Sequence, residues 1–369
     1  MIYTIDKKES RQIMCLRAIC VIMVILLHQY AGDVDQAAFA ISGNIAENEL
    51  LRAVQYVISR IISSSAVPLF FLMSSVLLYA KEFTWKDNMK KKTKSLIIPY
   101  FIWITLYIIV YFVGQTFSLT SRFFANSGRY VSQMNAADFL AAYTGIGGSA
   151  LFVNALWFLR DLIIMNALAP VIRKVIDRFP GICLVLLALL WNVGEIPEAL
   201  IINKQSIVFF SLGYYVVKYN VRMQSVEKFS LVGLSVVYLF MIILEYSLHT
   251  AGNMLVLSAH SFTTITGIVL LVRLSALICR DAEASVPWFL QIVGDYSFFI
   301  YVSHDFVQTA MKKICAQILP QSDIVQMAEY FLIPVLVCVV CIAAASVLRK
   351  LLPSAYRLLT GSRKQIKRS

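Results

Sequence analysis

Residues 17–28 read RAICVIMVILLH, an arginine and a histidine separated by ten uninterrupted apolar residues. Eleven residues make about three turns of α-helix, so Arg17 and His28 lie on nearly the same face, roughly 16 Å apart along the axis. The surrounding segment is long and apolar enough to span a membrane. Ionisable side chains inside such a helix are costly and usually face the interior of a bundle. The pattern therefore predicts a polar chamber inside a membrane protein.

The composition extends this prediction to the whole chain. Of the 369 residues, 59% are hydrophobic, and the mean hydropathy is +0.73, whereas soluble domains are about 45–50% apolar. The sequence predicts a single all-α domain of about ten membrane-spanning helices at 12–350, with cytoplasmic tails at 1–11 and 351–369. The predicted spans are 12–30, 57–80, 95–113, 151–173, 182–194, 199–219, 229–249, 257–279, 292–312 and 327–350.

The placement of positive charge predicts the orientation of these helices. The net charge is +12, and the basic residues cluster in alternate short connections, such as the lysine-rich segment 81–94. Lys and Arg accumulate in cytoplasmic loops, so both termini are predicted to be cytoplasmic. This explanation of the charge leaves no reason to expect nucleic-acid binding. The basic C-terminal tail is expected to attract anionic membrane lipids.

Two further predicted spans carry clusters of polar residues. In GDYSFFIYVSHDF, the side chains of Ser297, Tyr301 and His304 are spaced i, i+4 and i+7 and share one helix face. Such a stripe either recognises a ligand or links helices by hydrogen bonds. In LWFLRDLIIMNALAP, Arg160 and Asp161 form either a structural ion pair or a cationic group that faces the chamber. There it would bind an anionic substrate or stabilise a developing oxyanion.

Two more charged residues are candidates for a role in the site. Glu245 is a carboxylate inside the seventh predicted span, and it could pair with Arg60 or Arg160. Lys94 enters the third span and is either ordinary cytoplasmic charge or a group that binds the phosphates of a soluble anionic cofactor.

Structural explanations also exist for the two residues of the first helix. Arg17 alone could be a side chain that snorkels to the inner interface, and His28 alone could bond a neighbouring carbonyl. Their shared face favours a functional role. The sequence has no GxxxxGK[ST], GxGxxG, HExxH or GxSxG motif, so nucleotide-driven, zinc-dependent and serine-hydrolase chemistry have no support. No metal site is predicted.

Four segments, in this order, resemble the acyltransferase-3 family of bacterial integral-membrane O-acyltransferases, which modify surface glycans. They are the Arg-x10-His pair of Arg17 and His28, VPLFFLMSSVLL at 67–78, KSLIIPYFIW at 94–103 followed by LWFLRDLIIMNALAPVI at 156–172, and GDYSFFIYVSH at 294–304. The resemblance implies a multi-pass enzyme of the bacterial inner membrane. It is compatible with a homo-oligomer.

The resemblance also implies a reaction and roles for the candidates. Acetyl-CoA or another cytoplasmic acyl-CoA would donate its acyl group to a hydroxyl of a glycan or lipid-linked acceptor. Arg17 and Lys94 would hold the donor, and His28 would be the general base for the acceptor hydroxyl. The predicted substrate-binding residues are Arg160, Asp161, Glu245, Ser297, Tyr301 and His304.

Two other functions are compatible with the same residues. A transporter of a small polar solute or sugar derivative would also use a chamber that contains Arg and His. A membrane scaffold or sensor would use these side chains only to pack helices. Binding of acyl-CoA by the purified protein distinguishes the acyltransferase from a transporter. A scaffold predicts instead that Arg17→Ala and His28→Ala reduce thermal stability and little else.

Overall fold

The computed structural model describes residues 3–30, 48–125, 130–146, 151–197, 200–280, 286–320 and 322–362. These residues form fifteen α-helices with short π-helical and 3-10 stretches, and they contain no β-strand, which confirms the all-α class. The α-helices are α1 Lys7–Leu27, α2 Glu49–Tyr56, α3 Ala66–Tyr79, α4 Trp85–Lys92, α5 Ile98–Thr116, α6 Ser118–Ala125, α7 Ala136–Thr144, α8 Trp157–Arg178, α9 Pro180–Asn192, α10 Lys204–Lys218, α11 Leu231–Thr250, α12 Val256–Ile278, α13 Trp288–Ile318, α14 Asp323–Leu351 and α15 Pro353–Thr360.

Seven helical segments of the described chain are long and apolar enough to cross a membrane, as expected of an integral membrane protein. They are Lys7–Leu27, Glu49–Tyr79, Trp85–Thr116, Asn154–Arg178, Leu231–Thr250, Val256–Ile278 and Asp323–Leu351. Each coincides with one of the ten predicted spans. The full count of ten and the cytoplasmic location of both termini stay predictions.

The other three predicted spans are also helical, but they differ from ordinary spans. Helices α9 and α10 have 13 and 15 residues, about 20–22 Å, which is shorter than the hydrocarbon core of about 30 Å. Helix α13 has 31 residues and is long enough. Its apolar character is interrupted by charged and polar residues such as Asp295, Asp305 and Lys312.

Helix α1 lies at the centre of the bundle, where it packs against α3, α12, α13 and α14. Its residues Leu16, Cys20 and Val21 are fully buried. Helix α13 lies close to α1 at Gly294, where an added Cβ would lie 3.1 Å from the Met14 carbonyl oxygen. A small residue at this contact lets the two backbones approach each other. The family-like segments at 17–28 and 294–304 are therefore neighbours.

The second span is irregular where it approaches the C-terminal end of α1. Helix α2 continues into a π-helical stretch, Val57–Ile62, and a 3-10 turn, Ser63–Ser65, before α3 begins. Ser59 donates its hydroxyl to the Leu26 carbonyl at 2.6 Å. Irregular turns of this kind are frequent at functional sites.

The predicted connections contain more structure than the sequence indicated. The segment 114–150, which connects two predicted spans, contains α6 and α7, and the predicted C-terminal tail contains α15. The basic residues of the tail at 363–369 lie outside the described residues. At the other end, α1 begins at Lys7 and not near residue 12. Arg222 contacts Glu9 at 3.2 Å, so the N-terminal segment and the α10–α11 connection lie on the same side.

Candidate active site

A cavity of about 740 Å³ opens between the C-terminal end of α1, the irregular part of the second span, and α8, α10, α11, α12 and α13. Its wall combines aromatic rings with ionisable side chains. The ionisable residues that line it are His28, Tyr30, Tyr56, Arg60, Glu245, His260, Tyr301, Asp305 and Lys312. Three of the predicted site residues, His28, Glu245 and Tyr301, thus contribute to one cavity.

His28 terminates α1 and presents its ring to this cavity. Within the described chain the ring nitrogens have no hydrogen-bond partner, so a lone pair is available to a ligand. The backbone around the ring is held by α13. Lys312 donates to the His28 carbonyl at 2.7 Å, and Gln308 donates to the Ile25 carbonyl at 3.0 Å. The structure therefore fixes the His28 backbone and leaves the imidazole open.

His304 lies behind His28 and does not line the cavity. The centroids of the two rings are 5.3 Å apart, and His304 is 0% exposed. Its Nδ1 lies 2.6 Å from the Tyr301 carbonyl oxygen, which can only accept, so Nδ1 carries a proton. In the neutral ring Nε2 is then an acceptor, and it has no hydrogen-bond partner among the described residues.

The other two residues of the α13 stripe are bonded within the protein. The Tyr301 ring lines the cavity, but its hydroxyl donates to the Ala155 carbonyl. Ser297 lies outside the cavity wall and donates to the Gly294 carbonyl, one turn earlier, at 2.8 Å. Neither hydroxyl hydrogen is directed to a ligand.

Arg160 and Asp161 form an ion pair beside the cavity and do not line it. The two Arg160 nitrogens Nε and Nη2 donate to Asp161 Oδ1 at 3.0 and 2.9 Å, and Nη1 donates to the Thr144 carbonyl at 3.2 Å. Asp161 Oδ2 accepts the backbone N–H of Asn203 at 2.8 Å. Asn203 lines the cavity and caps α10. The pair therefore joins α7, α8 and α10 and positions part of the cavity wall.

Glu245 lines the wall opposite these helices. Its Oε1 lies 2.8 Å from His260 Nδ1, so its observed partner is His260, a residue of α12, and neither Arg60 nor Arg160 as the sequence suggested. Its Oε2 is buried and has no hydrogen-bond partner within the described chain. His260 also lines the cavity and is about one-third exposed.

Arg17 and Lys94, the predicted donor-binding residues, lie away from this cavity. On α1 the lining residues are Val24, Leu27 and His28, so the cavity stops about two turns before Arg17. The Arg17 guanidinium is within electrostatic reach of Asp295 on α13. Lys94 is exposed and belongs to the π-helical stretch Thr93–Ile97 before α5.

Several cavity residues were not among those predicted from the sequence. His260 is an intramembrane histidine in LSAHSFTTITG, and the rule that singled out Glu245 applies to it equally. Lys312 lies two turns beyond His304 on α13, and its position in a predicted span was the available signal. Asn154, Asn203 and Gln205 carry no signal in the sequence, because they come from connections and helix ends that only the fold brings together.

Among the described residues, no group of three or more His, Cys, Asp or Glu side chains could hold a metal ion. Two ionisable groups of the wall have a partner on another helix: the His28 ring is next to that of His304, which lies behind the wall, and Glu245 is bonded to His260. Such an arrangement can bind hydroxyl groups and move protons.

Comparison with known proteins agrees with the sequence resemblance. The family described as "Acyltransferase domain", the acyltransferase-3 family, matches residues 11–349. The chain belongs to this family. A curated relative, the succinoglycan biosynthesis protein ExoH of Rhizobium meliloti (strain 1021), is 23% identical over 309 residues, which are 82% of this chain and 80% of ExoH. No solved structure matches the chain significantly. The predicted family is confirmed, and the protein is an acyltransferase.

Proposed function

We propose that this acyltransferase transfers an acyl group, most simply acetyl, from cytoplasmic acyl-CoA to a hydroxyl of a cell-surface glycan. The observation that carries the proposal is the position of His28. It is the histidine of the Arg-x10-His pair, it faces the cavity, and its ring nitrogens have no protein partner among the described residues. The match to a succinoglycan biosynthesis protein supports a glycan as the acceptor.

In the proposed reaction, His28 acts as general base. Its free nitrogen takes the proton of the acceptor hydroxyl while the hydroxyl oxygen attacks the thioester carbonyl carbon. The C–S bond then breaks, the acyl group remains on the acceptor oxygen, and the CoA thiolate takes the proton from the imidazolium. General-base catalysis of this kind typically contributes about 10²–10⁴-fold to the rate.

Lys312 is the proposed donor to the negative charge that develops on the thioester oxygen. It lines the cavity and uses one hydrogen on the His28 carbonyl, which leaves two of its three donors. Arg160, Tyr301 and His304 are less suited to this role, since their described hydrogen bonds go to protein acceptors. A preorganised cation stabilises an oxyanion more strongly in a site shielded from water.

Arg17 and Lys94 are proposed to act on the donor from the cytoplasmic side. Arg17 shares its helix face with His28, so a thin pantetheine arm that passes along α1 would meet both residues. The described cavity ends at Val24, and the proposal therefore requires that it extend towards Arg17 when acyl-CoA binds.

The test is acyl transfer by the purified protein in detergent, with acetyl-CoA, a glycan acceptor and detection of released CoA. We expect His28→Ala to lower the turnover number by about 10²-fold or more. Binding of acetyl-CoA and the thermal unfolding midpoint should stay close to those of the wild type. Added imidazole should partly restore turnover in His28→Gly, because it can occupy the vacated position.

Three results would contradict the proposal. Wild-type turnover in His28→Ala would remove the base assignment. A wild-type protein that neither binds nor hydrolyses acetyl-CoA but takes up a sugar derivative in vesicles would be a transporter. A His28→Ala variant that is destabilised, with no acyl transfer by the wild type, would favour a structural role.

A further inference from the structure

Helix α11 presents a single buried residue to the protein. Its side chains Val232, Val236 and Phe240 are exposed, as expected for a helix that faces lipid. Glu245 is the one residue of α11 that is buried, at 2% exposure. A carboxylate on an otherwise apolar helix is costly to place in a membrane, so it indicates a function.

The hydrogen bonds of Glu245 are incomplete within the protein. Glu245 Oε1 is hydrogen-bonded to His260, whereas Glu245 Oε2 is buried and has no hydrogen-bond partner in the described residues. A buried carboxylate oxygen without a donor is destabilising unless a ligand or water supplies one. Because Glu245 and His260 both line the cavity, a ligand in the cavity can supply that donor.

An aromatic wall lies next to this pair. Tyr56 lines the cavity, and the His249 ring is stacked on it at 3.9 Å between centroids. Tyr30 also lines the cavity and meets Tyr56 edge-on at 6.1 Å. A carboxylate beside aromatic rings suits a sugar, which offers hydroxyl donors around its ring and apolar C–H groups on its faces.

We infer that Glu245, His260 and Tyr56 form the subsite that holds the acceptor sugar. Glu245 Oε2 accepts a hydrogen bond from a hydroxyl that is not the reacting one, and the Tyr56 ring packs against the C–H groups of the same sugar. This inference rests on the proposed function, and it names a ligand class: a neutral, polyhydroxylated sugar ring. The subsite presents the sugar from the α11–α12 side of the cavity to His28.

The test separates acceptor binding from donor binding and chemistry. In Glu245→Gln, the shape is retained, but the charged acceptor is lost. We expect the KM for the glycan acceptor to rise by about 10- to 100-fold, since hydrogen bonds to charged groups are the stronger ones. The KM for acetyl-CoA should stay within about threefold of wild type, since donor binding does not need the sugar.

Glu329→Gln is the matched control. Glu329 on α14 is a partly buried carboxylate outside the cavity lining, and the same substitution there should leave both KM values unchanged. A second pair of variants tests the aromatic wall. Tyr56→Phe should retain the acceptor KM, whereas Tyr56→Leu should raise it, because leucine keeps apolar volume and loses the flat ring.

An unchanged acceptor KM in a folded Glu245→Gln protein would overturn the inference, as would a fall in kcat with both KM values unchanged. If Glu245→Gln does not fold, equal acceptor KM values for Tyr56→Phe and Tyr56→Leu overturn it instead. His28→Ala is measured in parallel. Turnover that persists in that variant contradicts the proposed base and leaves the acceptor KM of Glu245→Gln to be judged separately.

Discussion

Two ionisable pairs inside the bundle differ in how completely their hydrogen bonds are satisfied. Asp161 is 0% exposed, and both of its oxygens have donors, two from Arg160 and one from the Asn203 backbone. Glu245 is almost as buried, yet only one of its oxygens has a donor, from His260. The first pair lies behind the cavity wall, and the second is part of the wall.

This difference in hydrogen bonding distinguishes a structural carboxylate from a ligand-binding one better than the presence of a buried charge alone. A buried carboxylate whose acceptor sites are filled by the protein has nothing left to offer a ligand, and its removal breaks helix contacts. A carboxylate with one open oxygen at a cavity is incomplete until a ligand arrives. The same criterion distinguishes His28, whose ring has no hydrogen bond in the described chain, from Tyr301, whose hydroxyl donates to Ala155.

The strongest test of this contrast is Asp161→Asn. The variant leaves the largely buried Arg160 without its counter-charge, and removal of one partner of a buried pair typically costs about 3–5 kcal/mol. We expect a large fall in the thermal unfolding midpoint in detergent and a low yield of folded protein. The protein that does fold should keep its acceptor KM within about threefold, since Asp161 does not line the cavity.

The matched control is Glu227→Gln, which breaks an exposed ion pair with Lys8. Exposed pairs contribute about 0–1 kcal/mol, so its unfolding midpoint should barely move. Equal thermal unfolding midpoints for Asp161→Asn and Glu227→Gln would show that the Arg160–Asp161 pair does not stabilise the bundle. A wild-type midpoint with a raised acceptor KM would instead make Asp161 a substrate-binding residue.

The second test concerns His304, which combines features of both pairs because it is fully buried and has an unpartnered Nε2. His304→Gln keeps an acceptor in the space behind His28, whereas His304→Met has a similar shape without a strong acceptor. If His304 orients the His28 ring, we expect kcat in His304→Met to be at least about tenfold below kcat in His304→Gln, with equal KM values.

Comparable unfolding midpoints for the two variants would show that the difference does not come from packing. A rise in the acceptor KM in both would mean that His304 reaches the sugar, as the sequence first suggested. Equal kcat values in two folded variants would remove the positioning role and leave His304 as a buried packing residue.

Much of this architecture follows from sequence periodicity, because periodicity is a local property. All ten predicted spans coincide with helices, and Arg17 and His28 lie on α1 as the eleven-residue spacing requires. The stripe of Ser297, Tyr301 and His304 on α13 was predicted in the same way. The spacing could not show that only Tyr301 would line the cavity, since this depends on how α13 packs against α1.

Partners across helices were beyond sequence reasoning. Glu245 and His260 are 15 residues apart and meet because α11 and α12 are antiparallel neighbours. In the sequence, Lys312 is a lysine at the end of the predicted span 292–312, and its contact with the His28 carbonyl is seen only because α13 lies along α1. Hydropathy predicts which segments form helices, but it does not predict which face of each helix packs against which neighbouring helix.

The third test extends the comparison to Arg17, in the middle of α1. Arg17 is separated from the cavity by about two turns, and we propose that it contacts the donor. Arg17→Gln should raise the KM for acetyl-CoA by about tenfold, the loss expected for one charged hydrogen bond. The acceptor KM should not change. Arg17→Gln should therefore raise only the KM for acetyl-CoA, whereas Glu245→Gln should raise only the KM for the acceptor. An acetyl-CoA KM equal to that of the wild type would leave Arg17 with a structural role beside Asp295.

The smallest effect is expected at Lys94, which is exposed and accompanied by Lys90, Lys91 and Lys92 on α4. One exposed cation among several contributes little, so Lys94→Ala should raise the acetyl-CoA KM by no more than about threefold at low ionic strength. Salt screens such charges over about 10 Å at 0.1 M, so the difference should disappear at about 0.5 M salt. Lys228→Ala, at another exposed lysine, is the control and should show no effect at either salt concentration. A large rise in the acetyl-CoA KM of Lys94→Ala that does not depend on salt would mean that Lys94 makes a close contact with the donor, shielded from solvent. Exposure in the structure without ligand would then not identify this lysine as a minor contributor.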